Sequence, residues 1–514
     1  MAGMNSMRNP VTSAIIDRRQ VYTILITVAA ALIFGHIIAV NRTDTLLLQQ
    51  YRLAQIPKQL GEKEKRLREK NVLSEDEIKN ELAKTRKNLE RDARLETPVL
   101  SANDRSRWDT IRVLVEPQSR VKDVQGKTVW YAIDTVQNEK GWDTIDMVKH
   151  TGHLYSSKPP LLPAVMAIPY YILYWGSGEN WSLTKTPFIA VRIMLVLCNL
   201  LPLIVCWILT AQLIERFGTT DWGRIFAMTF VCFGTFLSTF AVTLNNHLPA
   251  AVCVTIMLYC TVRLTEDASM LTPVHRFAYY TAAGFFGAFA ASCELPALLF
   301  CVLCGTYLLQ RKMKYNRFCA AGMFAAVLVV AGAFFAANYT AHDTLLPAYT
   351  QKDWYFFEYE RGGIVRQSYW QNPSTIDRGE ASRAMYILHC TIGHHGLFSL
   401  TPVWFLSFIG LFFWLRNEKY RQLAAVILLT SVVVFVFYMM QAQPNRNYGG
   451  MTSALRWMFW FVPLWSVPLV TAADWCCRSW FGRFTALTCL AVSVLSAAYP
   501  VWNPWTHPWL YQLG

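Results

Sequence analysis

The chain has 514 residues, 54% of them hydrophobic and only 16% charged, with a mean hydropathy of +0.24 and a formal charge of +14. Soluble proteins carry roughly 25% charged residues, so these figures exclude a disordered chain and point away from a soluble enzyme. A basic surplus can signal nucleic acid or membrane topology, and where the charges fall decides between them.

Val21–Val40 is a twenty-residue apolar run preceded by Arg18 and Arg19. It is long enough to span a bilayer, and positive flanks stay in the cytoplasm, so residues 1–40 read as a cytoplasmic N-terminus and an uncleaved anchor. The next 120 residues change character: positions 41–160 hold 23 of the 48 basic and 19 of the 34 acidic side chains. Ser74-Glu75-Asp76-Glu77 is a capping box, followed by Ile78, Leu82 and Leu89 at helical spacing. Within 41–100, Leu46–Leu95 therefore reads as a charged helical hairpin, an insertion that serves as a solvated spacer or a partner-binding arm.

Residues 101–178 form a first outer loop that ends in Leu161–Trp175, a short apolar block interrupted by Pro163 and Pro169. From there the chain alternates apolar blocks with short charged loops: a bundle over 179–338, a long outer loop over 339–396, and further helices over 397–514. The basic loops Arg311–Arg317, Arg416–Arg421 and the stretch with Arg478 and Arg483 should share the side of the N-terminus. They agree only if Leu161–Trp175 does not cross. The expectation is an all-α polytopic membrane protein with about eleven transmembrane helices plus one interfacial helix. The thirteen Cys lie mostly inside apolar blocks and none between 41 and 160, which suits packing rather than a disulfide framework. Nucleic acid loses its appeal as a partner, because the surplus charge follows topology.

Chemistry, on this topology, faces outward in four places. Asp104-Arg105-Ser106-Arg107-Trp108 puts Arg beside a carboxylate, which suits an anionic ligand next to a general base, or equally an amphipathic helix with surface ion pairs. Tyr155-Ser156-Ser157-Lys158-Pro159-Pro160 leads a Lys onto the interfacial helix, aimed at a lipid phosphate or simply snorkelling. Asn246 and His247 cap or line a short outer turn, and Glu294 is a carboxylate between two apolar blocks that needs a polar cavity or a partner. Arg446 and Arg456 flank Gly449-Gly450 on the face that positive charge avoids, which calls for an anion or for cation–π contact with interfacial Trp. His394-His395 is a weak metal pair, so no metal ligand is assigned.

These features resemble the GT-C class of integral-membrane glycosyltransferases, and within it the protein mannosyltransferase and aminoarabinose transferase group (glycosyltransferase family 39-like). The family's Asp-Glu-x-x-Tyr pattern is matched by Asp104-Arg105-Ser106-Arg107-Trp108, with Arg105 and Trp108 replacing the Glu and Tyr. Lys158-Pro159-Pro160-Leu161 is similar to its lipid-phosphate segment. The likeness covers roughly 101–500 and leaves the charged hairpin without a counterpart.

The resemblance implies sugar transfer from a polyprenyl-phosphate donor to a lipid, glycan or protein acceptor, at the outer face of a bacterial inner membrane. Asp104 would be the catalytic base. Lys158, Arg446, Arg456 and Arg105 would hold the lipid phosphate, while Glu294, Asn246, His247 and Tyr155 would orient acceptor or sugar. No cofactor is called for, and a divalent metal is left open. Two other classes fit the same sequence: a transporter or flippase of lipid-linked sugars, and a non-catalytic assembly protein that presents the 46–95 hairpin to a protein partner.

Overall fold

The structure, a computed structural model, describes residues 10–70, 74–93, 98–139, 141–267, 270–310, 316–361 and 364–513. Most of the loop Arg311–Arg317, read above as basic and cytoplasmic, lies outside the described residues.

The chain is an all-α polytopic membrane protein. Seven helices among the described residues are long and apolar enough to cross a bilayer: Arg18–Ala39, Pro187–Phe217, Asp221–Val242, His247–Glu266, Arg317–His342, Arg421–Met439 and Trp480–Ala498. The other blocks expected to cross are helical too, at Pro273–Cys293, Ala297–Leu309, Val403–Arg416 and Val462–Cys476. Length and composition thus single out seven of the eleven expected crossings, since about 20 residues are needed for a ~30 Å core. The first span shows what surrounds the bundle. Its Tyr22, Ala29, Ile33 and Ile37 are buried, whereas Ile24, Val28, Leu32 and Ile38 on the other side are exposed. A helix apolar on both faces needs lipid on one of them.

The first arm of the charged hairpin is the anchor itself. Helix α1 (Pro10–Lys70) runs unbroken for 61 residues, about 90 Å at 1.5 Å per residue. Leu, Gln, Lys, Arg and Glu, all good helix formers, fill most of residues 46–70, and the helix carries Pro57 and Gly61 in its interior without ending there. Helix α2 (Glu75–Ala93) opens on the expected capping box: Ser74 N–H donates to Glu77 Oε2 at 2.8 Å. It folds back on α1 through Lys63–Glu81 and Arg68–Glu75. These exposed pairs contribute little; the buried Ile56 and Ile78 hold the arms together.

Ion pairs sort the loops of the bundle into two ends. At the first, Arg18 reaches Glu215 and Asp221, Arg216 and Arg263 reach Asp267, and Lys419 reaches Glu266. Asp474, just before Arg478 and Arg483, takes the backbone N–H and hydroxyl of both Thr219 and Thr220 at 2.5 to 3.0 Å. The N-terminal end of the anchor therefore shares one face with the basic loops at 416–421 and 478–483, the grouping their charge requires.

The Asp474 knot is tight. A Cβ on Gly223 would lie 2.2 Å from Asp474 Oδ1. Asp474→Ala removes a buried acceptor from two backbone donors and two hydroxyls, those of Thr219 being exposed and those of Thr220 half-buried. The expected loss is about 1–2 kcal/mol, read as a lower unfolding temperature of the detergent-solubilised protein. An unchanged midpoint would mean that water replaces the carboxylate.

The thirteen cysteines are all free, and most are buried among helices.

Candidate functional site

At the second end, helix α3 (Ala102–Val115) supplies the first pair of side chains. Ser101 caps it by accepting from Asp104 N–H at 3.1 Å, which fixes the first turn. Asp104 and Arg107, three residues apart, lie on one face of the helix. Asp104 is almost fully buried: its Oδ1 accepts from Leu244 N–H at 3.0 Å and its Oδ2 from Leu100 N–H at 3.3 Å.

Leu244 belongs to a clamped turn. A π-bulge at Val196–Leu200 turns Asn199 so that its amide donates to the carbonyls of Ala241 and Thr243, each at 2.9 Å. Asn245 adds bonds to Phe240 and Thr243 and caps the next helix at Leu248 N–H. Trp505 Nε1 donates to the Thr243 hydroxyl at 3.0 Å. The turn presents Asn246 and His247. Arg107 donates to Asn246 Oδ1 at 2.5 Å, and Asn246 Nδ2 donates to the Cys293 carbonyl and to Glu294 Oε1 at 3.1 and 2.5 Å.

Glu294 also touches His247 Nδ1. The other ring nitrogen, Nε2, lies 3.2 Å from Arg456 Nη1. That pairing makes Nδ1 the protonated nitrogen of His247 and Nε2 the acceptor. Arg456 is braced by the Gly449 carbonyl at 2.6 Å and sits 5.2 Å above the Trp505 ring. Gly449, at φ 94°, lets its carbonyl turn toward the guanidinium, and a Cβ there would meet that side chain at 3.1 Å.

The third component is a β-hairpin, Met147–His150 paired with His153–Ser156. Because its strands are antiparallel, the residues flanking it meet: Asp146 Oδ1 lies 3.0 Å from Lys158 Nζ. Ser106 of α3 pins the junction, donating to the Asp146 carbonyl at 2.7 Å and lying 2.6 Å from the Ser156 hydroxyl. Lys158 then enters helix α4 (Leu161–Gly176). One stripe of α4, Leu162, Met166, Tyr170 and Tyr174, packs inward, while Ile168, Tyr171, Ile172 and Trp175 are exposed. An apolar face open to lipid therefore runs along α4 from Val165 onward, while the end of the helix nearest Lys158 is buried.

Electrostatics tie the three components together. Burial pushes the Asp104 carboxyl up to about 6, against the pull of Thr243, the Leu100 and Leu244 amides and Arg107. Burial brings Arg107 down to about 10, helped by the repulsion of Arg456. Burial also lowers the Lys158 ammonium, opposed by Asp146 and reinforced by Arg107 and Arg456. Burial works against the ionised form of Asp146, yet Lys158, Arg456 and Arg107 outweigh it and hold the carboxyl below its ordinary range.

Asp104, Lys158, Arg456, Glu294, Asn246 and His247, singled out from sequence, thus share one site. Three others stand apart. Arg446 donates to the carbonyls of Gln441 and Ala381 at 3.0 Å each, so its guanidinium fastens loops together. Arg105 donates to the Asp143 carbonyl at 2.6 Å. Tyr155 stacks on His150 at 4.1 Å, and His150 is stacked in turn on Trp354 at 4.2 Å. Two members of the site went unassigned in the sequence. Arg107 could have been found from its three-residue spacing to Asp104, and Asp146 from its place before a two-stranded turn that ends at Lys158. Among the described residues, no group of three or more His, Cys, Asp or Glu could hold a metal ion. His394 and His395 touch through their Nδ1 atoms and pack among His389 and Tyr448.

No protein-family model and no curated protein matches this chain. Solved structures do. The archaeal oligosaccharyltransferase AglB from Archaeoglobus fulgidus, in complex with an inhibitory peptide and a dolichol-phosphate, is similar over 80% of this chain and 53% of its own, at 11% identity and a TM-score of 0.47. The Archaeoglobus fulgidus oligosaccharyltransferase complexed with Zn and sulfate is similar over 80% of this chain and 50% of its own, at 12% identity and a TM-score of 0.45. This chain spans about half the length of those proteins. A likeness at that level carries nothing over to its chemistry.

Proposed function

We propose that the chain is a membrane glycosyltransferase that moves a sugar from a polyprenyl-phosphate donor to an acceptor hydroxyl. The reaction takes place at the outer face of a bacterial inner membrane, with the N-terminus in the cytoplasm. One observation carries this reading. The charges of three cations, Lys158, Arg107 and Arg456, act on one buried carboxylate, Asp146, just ahead of helix α4, whose exposed apolar stripe runs from Val165 to Trp175. Such a place suits a phosphate whose hydrocarbon tail stays in the bilayer.

The chemistry follows from the parts. The acceptor oxygen attacks the anomeric carbon, its O–H proton passes to Asp104, and the bond from that carbon to the phosphate oxygen breaks. The leaving polyprenyl phosphate gains negative charge, which the fixed ammonium and guanidinium groups stabilise without reorganising. Asn246, His247 and Glu294 form a rigid polar wall that orients acceptor or sugar.

The test is purified protein in proteoliposomes supplied with radiolabelled polyprenyl-phosphate sugars and lipid, glycan or peptide acceptors. Wild-type protein should release labelled product. Lys158→Ala and Arg456→Ala should each raise the donor KM by about 10- to 100-fold, the value of one charge-assisted hydrogen bond. Label that crosses the bilayer but stays on its lipid would overturn transfer in favour of flipping.

A further inference from the structure

The site holds one carboxylate that neither donor nor acceptor requires. Asp146 faces Lys158 directly, at 3.0 Å, and the charges of Arg107 and Arg456 act on it as well. Its backbone is held at both the carbonyl and the N–H. Ser106 of α3 holds its carbonyl, Thr144 Oγ1 accepts from its N–H at 3.0 Å, and Ser157 N–H donates to its carbonyl at 3.1 Å. The Lys158 backbone N–H is held by Ser156 Oγ at 3.1 Å, and its side chain is slightly the more exposed of the two. Its ammonium rides on a flexible four-carbon stem, so Lys158 is the partner with the reach to change place.

We propose that Asp146 is a positioning residue for phosphate capture: it parks the Lys158 ammonium against α3 until a donor phosphate takes its place as partner. This inference rests on the reading of the site as a lipid-phosphate site and assigns the step before chemistry. Without Asp146, three cations would face one another in a poorly solvated space, and Lys158 would be the one to give up its proton, since Arg stays charged under nearly all conditions. With Asp146, the cluster stays assembled and the incoming phosphate exchanges one anion for another.

The exchange gives opposite effects at low and high pH. The groups that face Lys158 are Asp146, Arg107 on α3 and Arg456. Tyr355 and Glu294 lie further out, coupled to Asp146 and to Arg456. In Asp146→Asn, a competing anion is gone, so phosphate should bind more tightly wherever Lys158 is still protonated. The same change removes the group that supports that proton, so Lys158 deprotonates at lower pH than in wild type. Affinity should then fall earlier as pH rises.

The experiment measures binding of undecaprenyl phosphate to the full chain in nanodiscs at pH 6 and pH 9, as the ratio of variant to wild-type Kd at each pH. The ratio cancels the titration of the phosphate itself. Asp146→Asn should bind about fivefold more tightly than wild type at pH 6 and about fivefold more weakly at pH 9, the scale of one partly screened charge contact. Asp146→Glu should restore wild-type behaviour, and Lys158→Arg in the Asn background should abolish the crossover. A ratio that does not change with pH would overturn the positional role and leave Asp146 as ordinary scaffolding. Absence of wild-type binding would instead remove the phosphate reading itself, so the two failures are distinguishable.

Discussion

Asp104→Asn should lower kcat by about 10²–10⁴-fold, the range that a positioned proton acceptor supplies, with little effect on donor binding. Two features of the carboxylate support this expectation. It is fixed by Leu100 and Leu244 N–H groups, so it meets the acceptor in one geometry. Burial sets its proton affinity at about 6, close to neutrality, where a base is still mostly ionised yet strong enough to accept a proton. The sign of the pH dependence follows. A carboxyl whose folded value is raised is protonated, and useless as a base, below that value. Transfer under kcat/KM conditions should therefore rise tenfold per pH unit below 6 and level off above it. Asp104→Asn loses that limb along with the rate. The amide oxygen can still accept from one of the two backbone N–H groups, but its NH2 then faces the other, so a modest fall in unfolding temperature is expected. Full activity in Asp104→Asn, with donor binding intact, would remove Asp104 from the mechanism.

The residues that converge around Asp104 differ in how far the sequence revealed them. Glu294, Asn246 and His247 were legible because they interrupt apolar blocks, where a polar side chain needs a reason. Lys158 was legible from the prolines that follow it, and Arg456 from its place at the head of an apolar block. Arg446 and Arg105 have the same residue type and comparable positions, yet each is satisfied by carbonyl oxygens brought from elsewhere in the chain. Sequence spacing carries no trace of those partners. The same holds for the π-bulge at Val196–Leu200, which places Asn199 under the 241–247 turn and looks in sequence like any apolar stretch. The continuity of α1 was hidden for a different reason. A change from apolar to charged composition marks a change of solvent, and a helix can cross that boundary without a break.

The site also depends on a carboxylate that takes no part in it, and Glu116→Ala should be among the most destabilising single changes in the protein. Glu116 follows the last turn of α3 and is fully buried. It accepts from Leu183 N–H at 2.9 Å and from Arg112 Nε at 3.3 Å, and it takes the hydroxyls of Tyr170 on α4 and of Thr184 as well. Arg112, equally buried, keeps Glu139, Thr184 and the Trp142 ring once Glu116 is gone. The loss falls on the donors that Glu116 alone accepts from, the Tyr170 hydroxyl and the Thr184 N–H, and each buried donor left unsatisfied costs about 1–3 kcal/mol. The unfolding temperature in detergent should fall by several degrees. The functional consequence is separate and follows from geometry: Glu116 joins α3, which carries Asp104 and Arg107, to α4, which begins beside Lys158. Loosening that joint moves base and cation relative to each other, and misplacement by about 1 Å can cost 10² in rate. Transfer should therefore drop even at temperatures where Glu116→Ala remains folded, whereas Asp474→Ala, at the opposite end of the bundle, should lose stability and keep its activity. Equal activity per folded molecule in the two variants would show that the α3–α4 joint does not set the geometry of the site.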